Sequence, residues 1–147
     1  MSEGSRPRLP WGMQLKKFVA EPSYILPLLD ALKDDSEEYV RRSVANSLND
    51  IAKDHPDLVA DIAARWLDGA DKTRKRLVKH ACRTLIKQGH ERTLHAFGYV
   101  PVPGLRCDLN IATPVVQYGS ALEFAADLQA AAGSHKIMVD YAIHFVK

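Results

Sequence analysis

The sequence lacks the features that mark membrane, secreted and disulfide-rich proteins. No apolar run approaches the ~20 residues that a membrane-spanning helix needs, and the polar first ten residues contain Pro7 and Pro10. We therefore expect no signal peptide, no membrane span and a cytoplasmic location. The two cysteines, Cys82 and Cys107, are too few for a disulfide framework, and each falls at an apolar position where a buried thiol is common.

Motifs of several enzyme classes are absent as well. The sequence has neither a glycine-rich phosphate loop nor a GxSxG nucleophile elbow, and neither cysteine has a convincing base partner. These absences argue against the well-known hydrolase, kinase and dehydrogenase classes. Six histidines are present, but no HExxH or paired Cys/His spacing relates them, so we predict no metal site.

Positive charge is concentrated in one segment, although the net charge of the chain is only +2. Such a local excess attracts a polyanion, and the alternative is a run of solvated helix faces. Between positions 72 and 92 the sole acidic residue is Glu91, whereas eight residues are basic: Lys72, Arg74, Lys75, Arg76, Lys79, Arg83, Lys87 and Arg92.

Apolar residues recur at spacings of three and four up to about Gly98, and this pattern predicts a series of helices. We predict a short helix over 11–20, a second over 25–32, and a long one over 36–53 with a start signal from Asp35 and Glu38. Further helices are predicted over 57–67, 72–88 and 92–97, and Gly69 and Gly89 provide stops.

Two of these helices match each other at a shift of 37 residues. A repeat of about 40 residues built from two helices is the HEAT-type signature, whose stacked units form an α-solenoid with the second helices on the concave surface. The shift places apolar residues on apolar ones and polar residues on polar ones: Val40 on Leu77, Val44 on Ala81, Leu48 on Leu85, Arg42 on Lys79 and Asn46 on Arg83.

After Gly98 apolar and polar residues alternate, which predicts half-buried strands. We predict three, over 105–111, 122–128 and 137–145. The fold class is therefore mainly α, with a helical repeat region over 1–98 followed by a partial β-sandwich over 99–147. Because three strands are too few for a sandwich, we expect that the chain stops inside this domain.

The polar residues of the two matched helices form two ridges. Because residues three and four apart share a helix face, stacked repeats would place both ridges on one concave wall. Arg and Lys there would neutralise phosphates and Asn would add neutral hydrogen bonds, which suits a DNA backbone; a solvated surface is the alternative. The ridges are Arg42, Asn46, Asn49 and Lys53 on one helix and Arg76, Lys79, Arg83 and Lys87 on the other.

Asp50 lies beside the first ridge, in the half of its helix where the helix dipole does not favour a negative charge. One interpretation is a salt bridge to Arg42, to Lys53 or to the next repeat. The other is a carboxylate held close to the sugar of bound DNA.

Several segments resemble the DNA alkylation repair glycosylases of the HEAT-like repeat type, and the AlkC branch more closely than AlkD. They are YVRRSVANSLNDIAKDHPD from Tyr39, Trp66, KHACRTLIKQG from Lys79, and the opening SEGSRPRLPWGMQLKKF. The ending VDYAIHFVK is similar to a strand of the immunoglobulin-like domain that AlkC-type proteins carry. Members of that branch have helices before the SEG motif, so we expect that this chain begins partway through such a protein.

The resemblance implies a monofunctional glycosylase that removes N3-alkylated purines, especially 3-methyladenine, from double-stranded DNA without metal or cofactor. It assigns Glu3 or Asp50 as the acidic group facing the sugar and Trp11 as the aromatic contact. A disordered Glu3 and a core Trp11 are the alternatives, whereas Trp66 is expected in the core. It assigns DNA contacts to Arg41, Arg42, Asn46, Lys79, Arg83 and Lys87.

Two functions remain open beside the glycosylase. One is a non-catalytic DNA-binding module, in which the ridges are kept and the acidic site is incomplete. The other is a protein-binding HEAT scaffold whose polar ridges meet an acidic partner. Unpaired strands would also allow self-association.

Overall fold

The structure, a computed structural model, describes residues 3–144 and is mainly helical, with one small antiparallel sheet. The elements in chain order are α1 (Lys16–Ala20), a 3-10 turn (Pro22–Tyr24), α2 (Leu26–Leu32), α3 (Glu38–Ile51), α4 (Pro56–Leu67), α5 (Lys72–Ala81), α6 (Arg83–Lys87), α7 (Glu91–Ala96), β1 (Arg106–Ile111) and β2 (Phe124–Gln129).

Contacts divide the chain into two units, which are described separately. The helical unit comprises the residues up to Tyr99 together with those from Val139 onward, and the second unit, Val100–Met138, contains the sheet. Within residues 3–144, no helix combines the length and hydrophobicity that crossing a bilayer requires.

The two longest helices agree with their predicted bounds to within two residues, and a tight turn separates them. Pro56 occupies the first turn of α4, where a missing amide proton is tolerated. The start of α3 differs in detail from the predicted cap. The Asp35 carboxylate accepts from the Glu37 amide at 2.8 Å, before the helix, and no side chain caps Glu37 itself. The Asp35 carboxylate therefore stabilises the turn that leads into the helix.

Two predicted helices are wrong in part. The predicted helix over 11–20 forms only as α1, which begins at Lys16. Trp11, the first residue of the predicted helix, has a left-handed backbone with φ 62°, which a right-handed helix does not contain. The helix over 72–88 is interrupted at Cys82, whose φ and ψ are −90° and 6°. The Cys82 amide still donates to the Val78 carbonyl at 3.0 Å, so the chain passes from α5 to α6 without a loop.

The helical core forms where α3 packs against α2, α4 and α5, and where α4 packs against α5 and α7. The apolar residues at helical spacing on α3 form its buried stripe: Val44, Ala45, Leu48 and Ile51 are buried, and Val40 is half-buried. Trp66 is buried as expected, and its indole Nε1 donates to Asp30 Oδ1 at 2.9 Å. Each fully buried large side chain contributes about 1.5–3 kcal/mol. The core includes Leu29, Val44, Leu48, Ile51, Val59, Ile62, Leu77, Val78 and Leu85.

The sheet of the second unit pairs β1 with β2 in an antiparallel register. Apolar residues face each other across the strands, with Cys107 opposite Leu128 and Ile111 opposite Phe124, so the predicted alternation defines one face. The expected half-burial is wrong, because every residue of both strands is exposed. The expectation of a buried thiol is correspondingly confirmed for Cys82 and wrong for Cys107.

The third predicted strand does not form over 137–144, where the structure has no strand. Its apolar residues are exposed, as at Val139 and Tyr141, so alternation alone does not pair a segment with a sheet. Phe145, the last residue of the predicted strand's apolar face, lies outside the described residues.

Candidate functional site

The segment before α1 lies against α3 and is held there by two arginines that flank a buried proline, Pro7. Arg6 contacts Asp50, and Arg8 contacts Asp54 through Nε at 3.1 Å and Nη2 at 2.8 Å. Both acceptors lie near the C-terminal end of α3, about one helical turn apart. A segment without regular secondary structure is thus fixed to the helix by side chains.

Arg6 joins two carboxylates. Its Nε and Nη2 lie 2.9 Å and 2.8 Å from Asp50 Oδ2, while its Nη1 donates to Glu3 Oε1 at 2.6 Å. Ser43 on α3 donates its hydroxyl to the other Glu3 oxygen, Oε2, at 2.7 Å. The two acidic residues that the resemblance offered as alternatives therefore belong to one hydrogen-bonded cluster. We call Glu3, Arg6, Ser43 and Asp50 the carboxylate cluster.

Burial differs sharply within the carboxylate cluster. The side chains of Arg6 and Asp50 are only 9% and 5% exposed, whereas that of Glu3 is 40% exposed. A desolvated charge is costly unless it is paired, and the Arg6–Asp50 contact supplies the pair. Glu3 is thus the carboxylate that reaches the surface, and Asp50 lies beneath it.

Hydrogen bonding outweighs burial at Glu3. Burial raises the pKa of its carboxyl group, but hydrogen bonds from Arg6 and Ser43 and the charge of Arg6 lower it, and the net shift is downward. The pKa of Arg6 shifts upward in turn: burial lowers it, and the hydrogen bonds to Glu3 and Asp50 more than offset that effect. Two carboxylates therefore share one buried guanidinium.

The carboxylate cluster borders two basic residues, Lys53 in the turn after α3 and Arg83 on α6. Lys53 Nζ lies 3.4 Å from Asp50 Oδ1, the oxygen that Arg6 does not contact. Burial lowers the pKa of Arg83, while the charge of Asp50 raises it, an effect that requires Arg83 to lie near the cluster. Of the three salt-bridge partners expected for Asp50, only Lys53 is found, and the main partner, Arg6, was not predicted.

His80, on α5, lies between α5 and α3. Its ring Nε2 is 3.2 Å from Asn46 Oδ1, which joins α5 to α3. Burial lowers the pKa of His80, and the charges of Arg83 and Arg42 lower it further. The ring is therefore neutral at physiological pH and surrounded by positive charge.

The predicted ridge residues fall into two groups. Those exposed at the surface are Arg42, Lys53, Arg76, Lys79 and Lys87, with Asn46 and Arg83 half-buried. The remaining ridge residue, Asn49, and Arg41, which the resemblance assigned to DNA, have contacts within the protein. Asn49 is buried and accepts from the Thr84 hydroxyl at 2.9 Å, and Arg41 donates to the Ser36 carbonyl at 2.8 Å. Asn49 thus points into the α3–α6 packing rather than to the surface, because Thr84 of α6 lies against this part of the α3 face.

Trp11 does not lie in the core, which was one of its two predicted locations. Its side chain is fully exposed, and its left-handed backbone costs about 1–2 kcal/mol for a residue with a Cβ atom. Among residues 3–144, the hydrogen bonds of the carboxylate cluster do not involve Trp11.

Sequence reasoning missed Arg6, Ser43 and His80. Arg6 lies in a proline-containing segment without apolar periodicity, so no helix face assigns it a direction. One signal was present: Arg6 and Arg8 are two residues apart, and Asp50 and Asp54 are four apart. Two residues of open chain and four of helix both span about 6 Å, so the two pairs can form together.

Among residues 3–144, no three His, Cys, Asp or Glu side chains are grouped as metal ligands.

Comparison with known proteins gives two matches of similar extent. A Bacillus subtilis protein described as the uncharacterized protein YhaZ is 42% identical over 147 residues, which is 99% of this chain and 41% of that protein. The solved structure of Pseudomonas fluorescens alkylpurine DNA glycosylase AlkC, bound to DNA containing an abasic site analog, has a TM-score of 0.80 and 39% identity. It covers 89% of this chain and 36% of AlkC.

No family model matches the chain. The chain spans less than half the length of either relative. It is therefore similar in both sequence and fold to a part of a DNA-bound alkylpurine glycosylase.

Proposed function

We propose that this chain is the lesion-contacting part of an alkylpurine DNA glycosylase, which hydrolyses the N-glycosidic bond of cationic alkylated bases such as 3-methyladenine. The observation that carries the proposal is the carboxylate cluster, in which Glu3 and Asp50 share one buried guanidinium beside a basic surface. The similarity to DNA-bound AlkC supports the same interpretation.

The chemistry requires little more than charge and a positioned water. An alkylated purine is already cationic and leaves readily, so the barrier lies in the positive charge that develops on the sugar. A carboxylate held in place before the reaction stabilises that charge without reorganisation. Glu3 is the residue that we assign to face the sugar, because its side chain reaches solvent. Asp50 stabilises the developing charge from beneath and fixes Arg6.

The basic surface would bind the DNA backbone on either side of this point. This basic surface consists of the exposed cations Arg42, Lys79 and Lys87 together with Arg83, which interacts electrostatically with Asp50. Phosphate contacts of this kind place the duplex without reading its sequence. Trp11 would then supply an apolar face to the cationic base or to the opened stack. Asn49 and Arg41 are not assigned to DNA, since both have contacts within the protein.

The repeat architecture is part of the proposal. The packing of α3 on α5 and of α4 on α7 supports a two-helix HEAT-like repeat, which would continue as an α-solenoid in the longer protein. We assign the helical region to 1–98. We assign 99–147 to a partial immunoglobulin-like domain, for which the β1–β2 pair is the support. A role on DNA agrees with the cytoplasmic location expected from the sequence.

Release of base from alkylated duplex DNA tests the activity. We expect the 147-residue chain to release 3-methyladenine, measured by chromatography, and Glu3→Gln to slow release about 100-fold, the usual scale for losing one preorganised electrostatic group. Glu91→Gln, an exposed carboxylate on α7, is the matched control and should leave the rate unchanged. A Glu3→Gln variant as fast as wild type would contradict the assignment.

A second candidate is a DNA-binding module that does not catalyse base release, which the exposed cations Arg42, Lys79 and Lys87 support. In that case binding to undamaged duplex remains and base release is absent. Lys79→Ala should weaken binding and reduce the salt slope by about one, whereas Arg65→Ala on α4 should change neither. Binding that is insensitive to both salt and Lys79 would instead support the protein-binding scaffold.

A further inference from the structure

We propose that Arg6 is a positioning residue, which holds the carboxylates of Glu3 and Asp50 as one unit and leaves that unit with a single negative charge toward the DNA. The inference rests on the proposed function, because it identifies what makes those carboxylates act together. The inference goes beyond the proposed function, because it assigns a role to Arg6, a residue that need not touch the substrate.

The geometry of the guanidinium supports this role. Two of its nitrogens contact the same Asp50 oxygen, and the third contacts Glu3, so all three nitrogens are directed at the pair. A lysine ammonium could not reproduce this, because it is a point charge rather than a planar fork. The short distances, 2.6–2.9 Å, are those of charge-assisted hydrogen bonds.

Glu3 has few other constraints on its position. It lies on a segment without regular secondary structure, and the hydrogen bonds found for its carboxylate come from Arg6 and Ser43. Asp50, in contrast, is fixed by its place on α3. Arg6 thus fixes the Glu3 carboxylate relative to Asp50 on the rigid helix α3. Electrostatic catalysis requires charged groups that are held in place in this way before the reaction.

Charge leads to the same conclusion. Two carboxylates beside each other repel, and one of them tends to take up a proton. With Arg6 between them, the two carboxylates and the one guanidinium have a formal net charge of one negative, which matches one positive charge on a sugar. The charged groups around the unit are Arg8 on the segment, Lys53 in the turn after α3 and Arg83 on α6.

The chain provides its own control. Arg8, two residues after Arg6, makes the same kind of contact with Asp54. Both side chains are partly exposed, at 27% for Arg8 and 30% for Asp54. Arg8→Gln removes an arginine–aspartate pair and a positive charge from the same segment without touching Glu3. Any effect that comes only from docking the segment, or from net charge, should therefore appear in both variants.

The first measurement is the titration of the Glu3 carboxyl carbon by NMR in the 147-residue chain. We expect Arg6→Gln to move its midpoint to higher pH, since the hydrogen bond and charge that lower the pKa are removed, and Arg8→Gln to leave it in place. A folded Arg6→Gln variant with an unchanged midpoint would overturn the proposal. This measurement needs no catalysis, so it decides the role of Arg6 even if the proposed glycosylase activity fails.

The second measurement compares binding of duplexes that carry a cationic pyrrolidine or a neutral tetrahydrofuran abasic analogue. Wild type should prefer the cationic duplex, and absence of that preference would count against the proposed function instead. Arg6→Gln should reduce the preference for the cationic duplex about tenfold near neutral pH. The variant gains attraction from one more net negative charge, but we expect it to lose more affinity because Glu3 is no longer held in position. A preference that rises would show that Arg6 merely neutralises charge, and would overturn positioning.

Arg6→Lys covers the case in which Arg6→Gln does not fold, as judged by circular dichroism. It keeps the charge and loses the fork. We expect the Glu3 midpoint to rise less than in Arg6→Gln while the preference for the cationic analogue still falls. Full retention of the preference in Arg6→Lys would overturn the proposal.

Discussion

Two serines one helical turn apart on α3 are expected to respond to the same substitution in opposite directions. Ser47 is 0% exposed, and within the described part of the chain its hydroxyl has no hydrogen-bond partner. An unsatisfied buried polar group costs about 1–3 kcal/mol, and alanine adds up to about 0.7 kcal/mol of helix propensity. After the lost packing of one oxygen atom, Ser47→Ala should raise the free energy of unfolding by about 1–2 kcal/mol.

Ser43 is 3% exposed and donates to Glu3 Oε2 at 2.7 Å. A hydrogen bond to a charged group is worth about 1.5–3 kcal/mol, but water can replace the hydroxyl at the half-exposed Glu3, and the helix gains from alanine. Ser43→Ala should therefore lower the free energy of unfolding by about 1 kcal/mol. The two variants then differ by about 2–3 kcal/mol, which separates their urea midpoints by about 1 M or more.

Urea denaturation followed by circular dichroism at 222 nm measures this difference, because that signal reports the helical unit. The slope of the unfolding free energy against urea should be the same in both variants. If Ser47→Ala lowers the midpoint as much as Ser43→Ala, the Ser47 hydroxyl has a partner in solution and the reasoning from its burial is refuted.

Two further predictions concern titrating groups. Burial raises the pKa of the Cys82 thiol to about 12, so a thiol reagent at pH 8 should label the exposed Cys107 in the native protein and Cys82 only after urea is added; equal native labelling of both would contradict this. Because the pKa of Glu3 is lower in the folded state, its contacts stabilise the fold above the ordinary glutamate pKa, and that contribution is lost as pH falls through the folded pKa. Acid unfolding of Glu3→Gln should therefore depend less on pH in this range than that of wild type, and identical profiles would show that Glu3 is unpaired in solution.

The helical part of the fold was largely predictable, because a strong three-to-four periodicity fixes both the helix and its buried face. This holds for α3 and α4, and for the core position of Trp66. Turns with unusual backbone conformations were not predictable in this way. The sequence around Trp11 is compatible with a helix, yet Trp11 has a left-handed backbone and helix α1 begins only at Lys16.

The candidate site was predictable in its acidic residues and not in what joins them. Glu3 and Asp50 entered through a resemblance and as alternatives, whereas the structure joins them through Arg6. Contacts between an irregular segment and a helix 44 residues away depend on the tertiary path of the chain, which periodicity does not describe. The β segments show the same limit, since alternation defined a face on β1 and β2 but did not pair the residues after 137.

The docking of the segment before α1 has a consequence for the dynamics of the site. This segment is attached to α3 by two arginine–aspartate contacts and one buried proline, while the helices beneath are held by a continuous apolar core. Release of the segment therefore takes less free energy than unfolding of the helices. Such an opening would move Glu3 away from Asp50 and leave the basic surface intact. The carboxylate pair would therefore be lost under milder denaturing conditions than DNA binding.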